Sequence, residues 1–546
     1  MGKAAFVFFL ALAFSACRPT QKADLLIYNA TIYTVDSAFS VAEAMVIREG
    51  KIIETGTSGE LRQKYEATET LDAGKKFIYP GFIDAHAHFF GYGFGLQEVN
   101  LVGTASWDEV LSRLQAFTKD LPPGQWLIGR GWDQNDWPLK EFPDNKKLNE
   151  LFPDRPVLLT RVDGHAAIAN ELALNRAAVR AGMQLTGGEV EVKNGRLTGI
   201  LIDNATELVA SKIPSPGPAQ AKEALLDAQQ NCFATGLTTI DDCGLDYPAI
   251  RFIDSLQQKG ILKMRIYAML SDSKPNYDAI FQRGKIKTGR LHVCAFKVYA
   301  DGALGSRGAC LLQPYTDKHG WSGFLLSNPA HFDSVARILA EKDFQMCTHA
   351  IGDSGNRTML NIYAKYLKGK NDRRWRIEHA QVIDPADFSL FGQNSIIPSV
   401  QPTHATSDMY WAADRLGKER VKTAYAYKQL LNENGWIPLG TDFPVEDISP
   451  FKTFYAAVVR KDAKGWPAEG FQKENALSRQ EALRGLTIWA ARSNFEEQEK
   501  GSLEKGKFAD FVVLDNDLMK AGEKQIPDIK VNLTFVGGEK VFSRRP

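Results

Sequence analysis

The sequence is poor in cysteine, with 6 in 546 residues. Cys17 stands near the N-terminus, and the other five, an odd number, are scattered through apolar runs without the spacing of a metal-binding finger. A small scaffold held together by disulfides is therefore excluded. We expect the five to be buried as small hydrophobic residues.

The chain also lacks an excess of charge, because 66 Lys and Arg against 65 Asp and Glu leave a net charge of +1. No overall field favours nucleic acid, so we expect a small-molecule partner and no nucleic acid. A Walker loop, a Gly-x-Ser-x-Gly elbow and a His-Glu-x-x-His helix are all absent from the sequence. The sequence leaves the oligomeric state open.

The N-terminus differs from the rest of the chain. An apolar run at 4–13 follows Lys3 and precedes small residues and Cys17. The run is too short to span a bilayer, so 1–16 is predicted to be a secretory signal peptide. It resembles a bacterial lipoprotein signal in which Cys17 is lipidated; a plain signal peptide is the alternative. We expect an exported, periplasmic protein, tethered to the membrane by lipid alone, with 17–24 as a polar tether.

The two ends of the mature chain, 25–75 and 500–546, read as short strands without helices and predict a composite β-sandwich. Between them, 76–499 alternates strand-like and helical patterns and predicts a (β/α)8 TIM-like barrel, an α/β fold. The long interval after the first barrel strand predicts an inserted subdomain at about 100–225. The eight predicted barrel strands are 76–89, 236–244, 262–270, 291–302, 345–353, 375–382, 395–404 and 437–445.

Metal-binding side chains stand at the ends of these strands. His86 and His88 lie two apart on strand one, so both imidazoles point to the same side. His349, His379 and Asp442 end strands five, six and eight. Because the carboxyl ends of barrel strands meet at one face, we expect these five groups to converge. Nitrogen and oxygen donors favour Zn²⁺ first, with Mn, Fe, Co or Ni as alternatives.

Lys297 lies on predicted strand four. Burial and nearby divalent cations both lower the pKa of a lysine, and a neutral amine can add carbon dioxide to give a metal-bridging carbamate. A rim lysine paired with Asp301 or Glu378 is the alternative.

Five motifs occur in order along the chain: PGFIDAHAH, FKVYADGALGSRGA, THAIGD, RIEHAQ and GTDFPVEDISP. Together they resemble the amidohydrolase superfamily, and within it the family 3 group that includes N-substituted formamide deformylases. The resemblance implies a binuclear centre of two divalent ions. In it His86, His88 and Asp442 hold one ion, His349 and His379 hold the other, and carboxylated Lys297 bridges them.

The resemblance further implies a hydrolase acting on non-peptide carbon–nitrogen bonds, such as an amide or formamide bond, with a metal-bridging hydroxide as nucleophile. Asp442 would move the proton to the leaving nitrogen, and His165 would donate a hydrogen bond to the oxyanion. Candidate substrate-binding residues are Arg307, His404, Trp132 and Trp137. Three alternatives stay open: an esterase or lactonase, a mononuclear deaminase with the same barrel, and a non-catalytic surface binding lipoprotein.

Overall fold

The structure is a computed structural model that describes residues 20–122 and 124–545. The predicted signal peptide 1–16 and the lipidation residue Cys17 lie outside these described residues. Within the described part of the chain, no helix combines the length and the hydrophobicity needed to cross a membrane.

The centre of the fold is a parallel barrel sheet. Neighbouring strands follow one another in chain order, as expected for repeated βα units. The seven barrel strands are Phe82–Ala87, Leu237–Leu245, Arg265–Ser271, Leu291–Tyr299, Gln345–Ala350, Arg376–His379 and Ile397–Ser399. The short strand Ile286–Lys287 pairs antiparallel with the fourth.

The predicted eighth strand, 437–445, is reduced to a single parallel bridge between Leu439 and Val400. The amide of Gly440 donates to the Val400 carbonyl at 3.0 Å, and the amide of Ala85 donates to the Leu439 carbonyl at 3.2 Å. The segment therefore touches both the seventh and the first strand, and the barrel is nearly closed.

Helices alternate with the barrel strands and cover them, so that the strands are buried on both faces. After residue 210 these helices are, in chain order, Pro218–Ala234, Tyr247–Gln258, Lys274–Arg283, Pro329–Glu341, Asp353–Leu367, Phe388–Gln393, Pro402–Asp408, Ala412–Arg420, Tyr427–Asn434, Pro450–Val459, Arg479–Gly485 and Ile488–Ser493. Helix Phe89–Gly95 directly follows the first strand.

Residues 99–203 form a six-stranded sheet of their own between the first and second barrel strands. The strands, in spatial order, are Gly188–Lys193, Arg196–Asp203, Ala166–Ala169, Val157–Arg161, Leu127–Trp132 and Val99–Asn100. Helices Trp107–Phe117, Lys146–Leu151, Glu171–Arg176 and Asn204–Ala210 accompany this sheet. Helix Pro218–Ala234 packs on the barrel, so this unit ends before the predicted position 225.

The two ends of the chain form two further sheets that share an apolar core containing Ile27, Ile47, Phe511 and Phe535. The four-stranded sheet has the order Lys51–Gly56, Ala44–Arg48, Gln21–Tyr28 and Tyr65–Asp72. The six-stranded sheet has the order Glu539–Ser543, Val531–Val536, Phe511–Leu514, Phe77–Pro80, Thr31–Tyr33 and Val41–Ala42. Helix Ser58–Lys64 precedes strand Tyr65–Asp72.

The structure places two further boundaries differently from the sequence prediction. The predicted tether 17–24 overlaps strand Gln21–Tyr28, because Ala23 is buried and this stretch pairs with Tyr65–Asp72. The first predicted barrel strand, 76–89, is two strands: Phe77–Pro80 pairs with Phe511–Leu514 in the terminal sheet, and only Phe82–Ala87 belongs to the barrel. A Cβ on Gly81, between the two strands, would overlap the Thr238 side chain, so glycine fits where the chain passes from one sheet to the other.

Candidate metal centre

A cavity of about 650 Å³ lies at the carboxyl ends of the barrel strands. Its lining includes His88, Lys297, His349, His379 and Asp442, five of the six predicted ligands. The sixth, His86, is fully buried directly beside them, with its Nε2 atom 3.0 Å from the Nζ atom of Lys297. The six predicted ligands, at or near the carboxyl ends of barrel strands, therefore lie close together.

The first group of converging donors is His86, His88 and Asp442. The Oδ1 atom of Asp442 lies 3.1 Å from Nε2 of His88 and 3.6 Å from Nε2 of His86. Tetrahedral bonds of about 2.1 Å to one cation put donor atoms roughly 3.4 Å apart. The group therefore has the spacing of ligands around one ion.

The second group is His379, His404 and Asp442, which differs from the prediction. His404, predicted to end strand seven and contact substrate, instead lies in helix Pro402–Asp408, and its Nε2 atom is 3.2 Å from Oδ2 of Asp442. His349 stands outside both groups of three, although its ring centroid is 4.6 Å from that of His379. Asp442 is shared by both groups.

The chemistry of the donor atoms fits a metal. Four buried polar atoms of this cluster have no hydrogen-bond partner among the described residues: Nε2 of His349, Nδ1 of His379, Nε2 of His404 and Oδ1 of Asp442. Leaving buried polar atoms unsatisfied costs about 1–3 kcal/mol each, so a cluster of them needs a compensating ligand. A divalent cation would satisfy them together.

Electrostatics keep these groups in their ligating forms. Burial lowers the pKa values of His349 and His379 well below the usual imidazole value, so both rings are neutral donors. Burial alone would raise the pKa of Asp442, but the imidazoles of His404 and His88, 3.2 and 3.1 Å from its oxygens, hold it well below the usual carboxyl value. The carboxylate is therefore ionised at neutral pH.

Lys297 is 1% exposed, and its Nζ atom also lies 4.9 Å from the ring centroid of Tyr299. Burial lowers its pKa, but neighbouring acidic groups, including Glu378 and Asp442, outweigh burial and raise it. The protein's own groups therefore raise the pKa of Lys297, whereas the sequence predicts that it is lowered. The neutral amine that a carbamate requires depends on the positive charge of bound metal.

Carboxylates behind the ligands hold them in place. Glu378 lies 2.6 Å from Nδ1 of His86, and both side chains are fully buried. Asp84 accepts hydrogen bonds from the backbone amides of His86 and Thr441 at 3.2 and 2.9 Å. It therefore ties the first barrel strand to the segment that carries Asp442.

The backbone at two candidate ligands is strained. His379 and Asp442 have φ angles of 74° and 63°, in the left-handed region that residues with a Cβ rarely adopt. Such strain persists only where the surrounding structure enforces it, and it clusters at functional sites. His379 is the last residue of its barrel strand, and Asp442 follows the Leu439 bridge by three residues.

His165 reaches the cavity from the inserted sheet, as predicted. Its Nδ1 atom is 2.6 Å from Oδ1 of Asp203, and its ring centroid is 4.9 Å from that of His349. Burial would lower the pKa of His165, but the hydrogen bond with Asp203 raises it. The Nδ1 contact fixes the ring and leaves Nε2 free to face a ligand.

Three predicted substrate-binding residues lie outside the cavity lining. Trp132 and Trp137 are buried in the core of the inserted sheet, where their indole nitrogens donate to the carbonyls of Leu159 and Thr104. Arg307 pairs with Asp317 at 2.9 Å, away from the cavity lining. The aromatic residues that do line the cavity are Tyr92, Tyr299, Trp411 and Phe443.

Sequence reasoning also missed the supporting carboxylates Asp84, Asp203 and Glu378. Glu378 and His86 are 292 positions apart, and Asp203 and His165 are 38 apart, so no local spacing relates them. The one available signal for Glu378 is its place directly before His379.

A parallel barrel that gathers imidazoles and a carboxylate at the carboxyl ends of its strands is the arrangement of a metal-dependent hydrolase. The chain belongs to the amidohydrolase family, whose model matches residues 69–542. It is thus an enzyme, a hydrolase acting on carbon–nitrogen bonds. The expected family and the barrel are confirmed, and the donor set supports a divalent metal.

Similar proteins cover nearly the whole chain. It is 34% identical over 543 residues to Protein LONG AFTER FAR-RED 3 of Arabidopsis thaliana, covering 95% of this chain and 92% of that one. It is 26% identical to N-substituted formamide deformylase of Arthrobacter pascens, covering 96% and 99%. The crystal structure of a metal-dependent hydrolase from Pyrococcus horikoshii OT3 superimposes with a TM-score of 0.74 at 27% identity, covering 91% and 99%.

Proposed function

We propose that the protein hydrolyses the amide bond of a small N-acyl compound, and that N-substituted formamides are the first substrates to test. The observation that carries this proposal is the pair of three-donor groups that share Asp442 beside Lys297 in one cavity. The similarity to a formamide deformylase over nearly the full length of both chains supports the choice of substrate.

We propose two divalent ions, Zn²⁺ first. His86, His88 and Asp442 would hold one; His379, with His349 or His404, would hold the other; and Lys297, carboxylated by carbon dioxide, would bridge them. When bound, such ions supply a water molecule of lowered pKa and polarise the substrate carbonyl. The buried, unpartnered donor atoms of this cluster support that assignment.

The role proposed for Asp442 is proton transfer. Its carboxylate is ionised and lies between His88 and His404, so it can accept a proton from the attacking water. The protonated carboxyl then delivers that proton to the leaving nitrogen, which must depart as a neutral amine.

His165 is proposed to stabilise the developing oxyanion. Asp203 accepts the Nδ1 hydrogen and raises the pKa of His165, so we propose that the ring is protonated and donates its Nε2 hydrogen to the oxyanion. Because His165 comes from the inserted sheet, we propose that this sheet is an inserted domain that completes the substrate site. The two terminal sheets would form one β-sandwich domain beside the barrel.

Export is a separate proposal that rests on the N-terminal sequence alone. We propose that Cys17 is lipidated and tethers the enzyme in the periplasm. Labelling with radioactive palmitate in a bacterial host tests this: the wild type should be labelled and Cys17→Ser should not. Equal labelling of both would contradict it.

The test of function is a hydrolysis panel with metal analysis on the same preparations. Wild type and Lys297→Ala would be assayed with an N-substituted formamide and with the matched formate ester. For the wild type we expect formamide hydrolysis and close to two metal ions per chain. Lys297→Ala should lose both the hydrolytic activity and the bound metal. Faster ester cleavage would favour an esterase, and one metal with an active Lys297→Ala would favour a mononuclear centre.

A further inference from the structure

Arg130 presents a cation to the cavity. It lies in the inserted strand Leu127–Trp132, which pairs on one side with Asn100 and on the other with Thr160. Side chains alternate along a strand, and Leu127 is buried in the core of the inserted sheet. Arg130 lies three positions on, faces the opposite side, and lines the cavity. Two neighbouring strands hold its backbone rigidly.

The guanidinium of Arg130 is poorly satisfied by the protein. Its Nη2 atom donates to the Val162 carbonyl at 3.1 Å, while its Nε atom is buried without a partner among the described residues. A guanidinium has five N–H donors, so most of its capacity is unused. Arg130 is half-buried in the cavity wall, and burial lowers the pKa of its guanidinium.

The carboxylates of Asp163, Asp442 and Glu98 favour the charge of Arg130, but none of them forms a salt bridge with it in the described part of the chain. Arg161 lines the same cavity but is paired with Asp133 and Asp163, which leaves Asp163 committed. Glu98 also lines the cavity; burial raises its pKa and the charge of Arg130 opposes that rise, but the hydrogen bond of the guanidinium goes to Val162 and not to Glu98. Because most of its N–H donors are unused and it forms no salt bridge with these carboxylates, Arg130 is suited to an anionic ligand.

We infer that Arg130 binds the carboxylate of the substrate, and that the enzyme therefore acts on N-acyl amino acids rather than on neutral formamides. The inference rests on the proposed amide hydrolysis and narrows its substrate class. A guanidinium edge matches the two oxygens of a carboxylate. A doubly charged phosphate is disfavoured because Glu98, Asp408 and Glu446 also line the cavity.

The surroundings of Arg130 indicate an apolar amino-acid side chain. Val102 is 54% exposed, lines the cavity and packs against Gly131, the residue after Arg130. Leu96, 41% exposed, lines the same cavity. These two side chains offer an apolar surface next to the cation.

Calorimetric binding to the full-length chain tests the inference without relying on turnover. The probes are N-formylphenylalanine and its neutral carboxamide, N-formylphenylalaninamide. We expect wild type to bind the acid at least tenfold more tightly, and Arg130→Gln to bind both probes within twofold of each other. Arg180→Gln removes the same charge from an exposed position of the insertion and should keep the wild-type preference.

Arg130→Lys keeps the positive charge but loses the paired N–H donors of the guanidinium. It tests carboxylate binding by Arg130 if Arg130→Gln does not fold. A preference for the acid at least threefold smaller than in wild type supports the inference, and an unchanged preference overturns it. Equal binding of both probes by wild type, or binding of neither, also overturns it. If the enzyme hydrolyses amides but does not prefer the acid, the carboxylate inference fails and the proposed function stands. If it binds the acid selectively but hydrolyses neither probe, the proposed function fails and the carboxylate inference stands.

Discussion

Replacing Glu378 with glutamine tests whether the carboxylate behind His86 contributes to metal binding. Glu378 lies 2.6 Å from Nδ1 of His86, both side chains are fully buried, and no solvent can replace the lost charge. Removing such an outer partner of a metal-binding histidine typically weakens metal affinity by 10–100-fold, which is about 1.4–2.7 kcal/mol. The full burial of the pair leads us to expect the upper half of that range.

The assay is calorimetric titration of the metal-stripped protein with Zn²⁺ in the presence of a competing chelator of known affinity. Glu341→Gln is the matched control, because it makes the same change at an exposed position near the end of helix Pro329–Glu341. A Glu378→Gln protein that is folded and binds Zn²⁺ within twofold of wild type would refute the reasoning.

Other perturbations have distinct expected outcomes. Asp442→Asn should keep part of its metal, because the imidazoles remain, but lose roughly 10²–10⁴-fold in formamide turnover; unchanged turnover would remove Asp442 as the proton carrier. Asp203→Asn should misorient His165 and therefore lower kcat with little change in KM. The loss should not exceed the roughly 10²–10³-fold cost of deleting an oxyanion donor, and a change in KM alone would contradict this. Trp132→Ala should destabilise the protein by about 3–5 kcal/mol in urea unfolding, because its indole fills a core; an altered KM at unchanged stability would restore it as a substrate contact. Adding metal at 100 times its Kd to stripped protein should raise stability by about 2.7 kcal/mol, measured as a higher Tm, and an unchanged Tm would contradict a site formed only in the folded state.

The predicted ligands could be placed from sequence because they follow two simple rules. Side chains two apart on a strand share a face, which aligned His86 and His88, and parallel barrel strands end at one rim, which gathered His349, His379 and Asp442. Neither rule depends on the details of packing. For this reason an error in the extent of strand eight did not displace Asp442.

Packing decides the features that sequence reasoning missed. Trp132 and Trp137 occur in a segment whose strand could not be distinguished from a loop, and their burial depends on helix Trp107–Phe117 and on neighbouring strands. To place His404 correctly, one would have to know that strand seven ends at Ser399 and that a helix begins at Pro402. Glu378 acts on His86 through a contact across the barrel that no local pattern encodes.

The most direct test of the central claim is a titration of metal-stripped wild type with Zn²⁺ in the presence of bicarbonate, followed by formamide hydrolysis. Activity should rise with added metal and reach its plateau at two ions per chain, since two donor groups share Asp442. Hydrolysis that is equally fast in the stripped protein and independent of added metal would contradict the account.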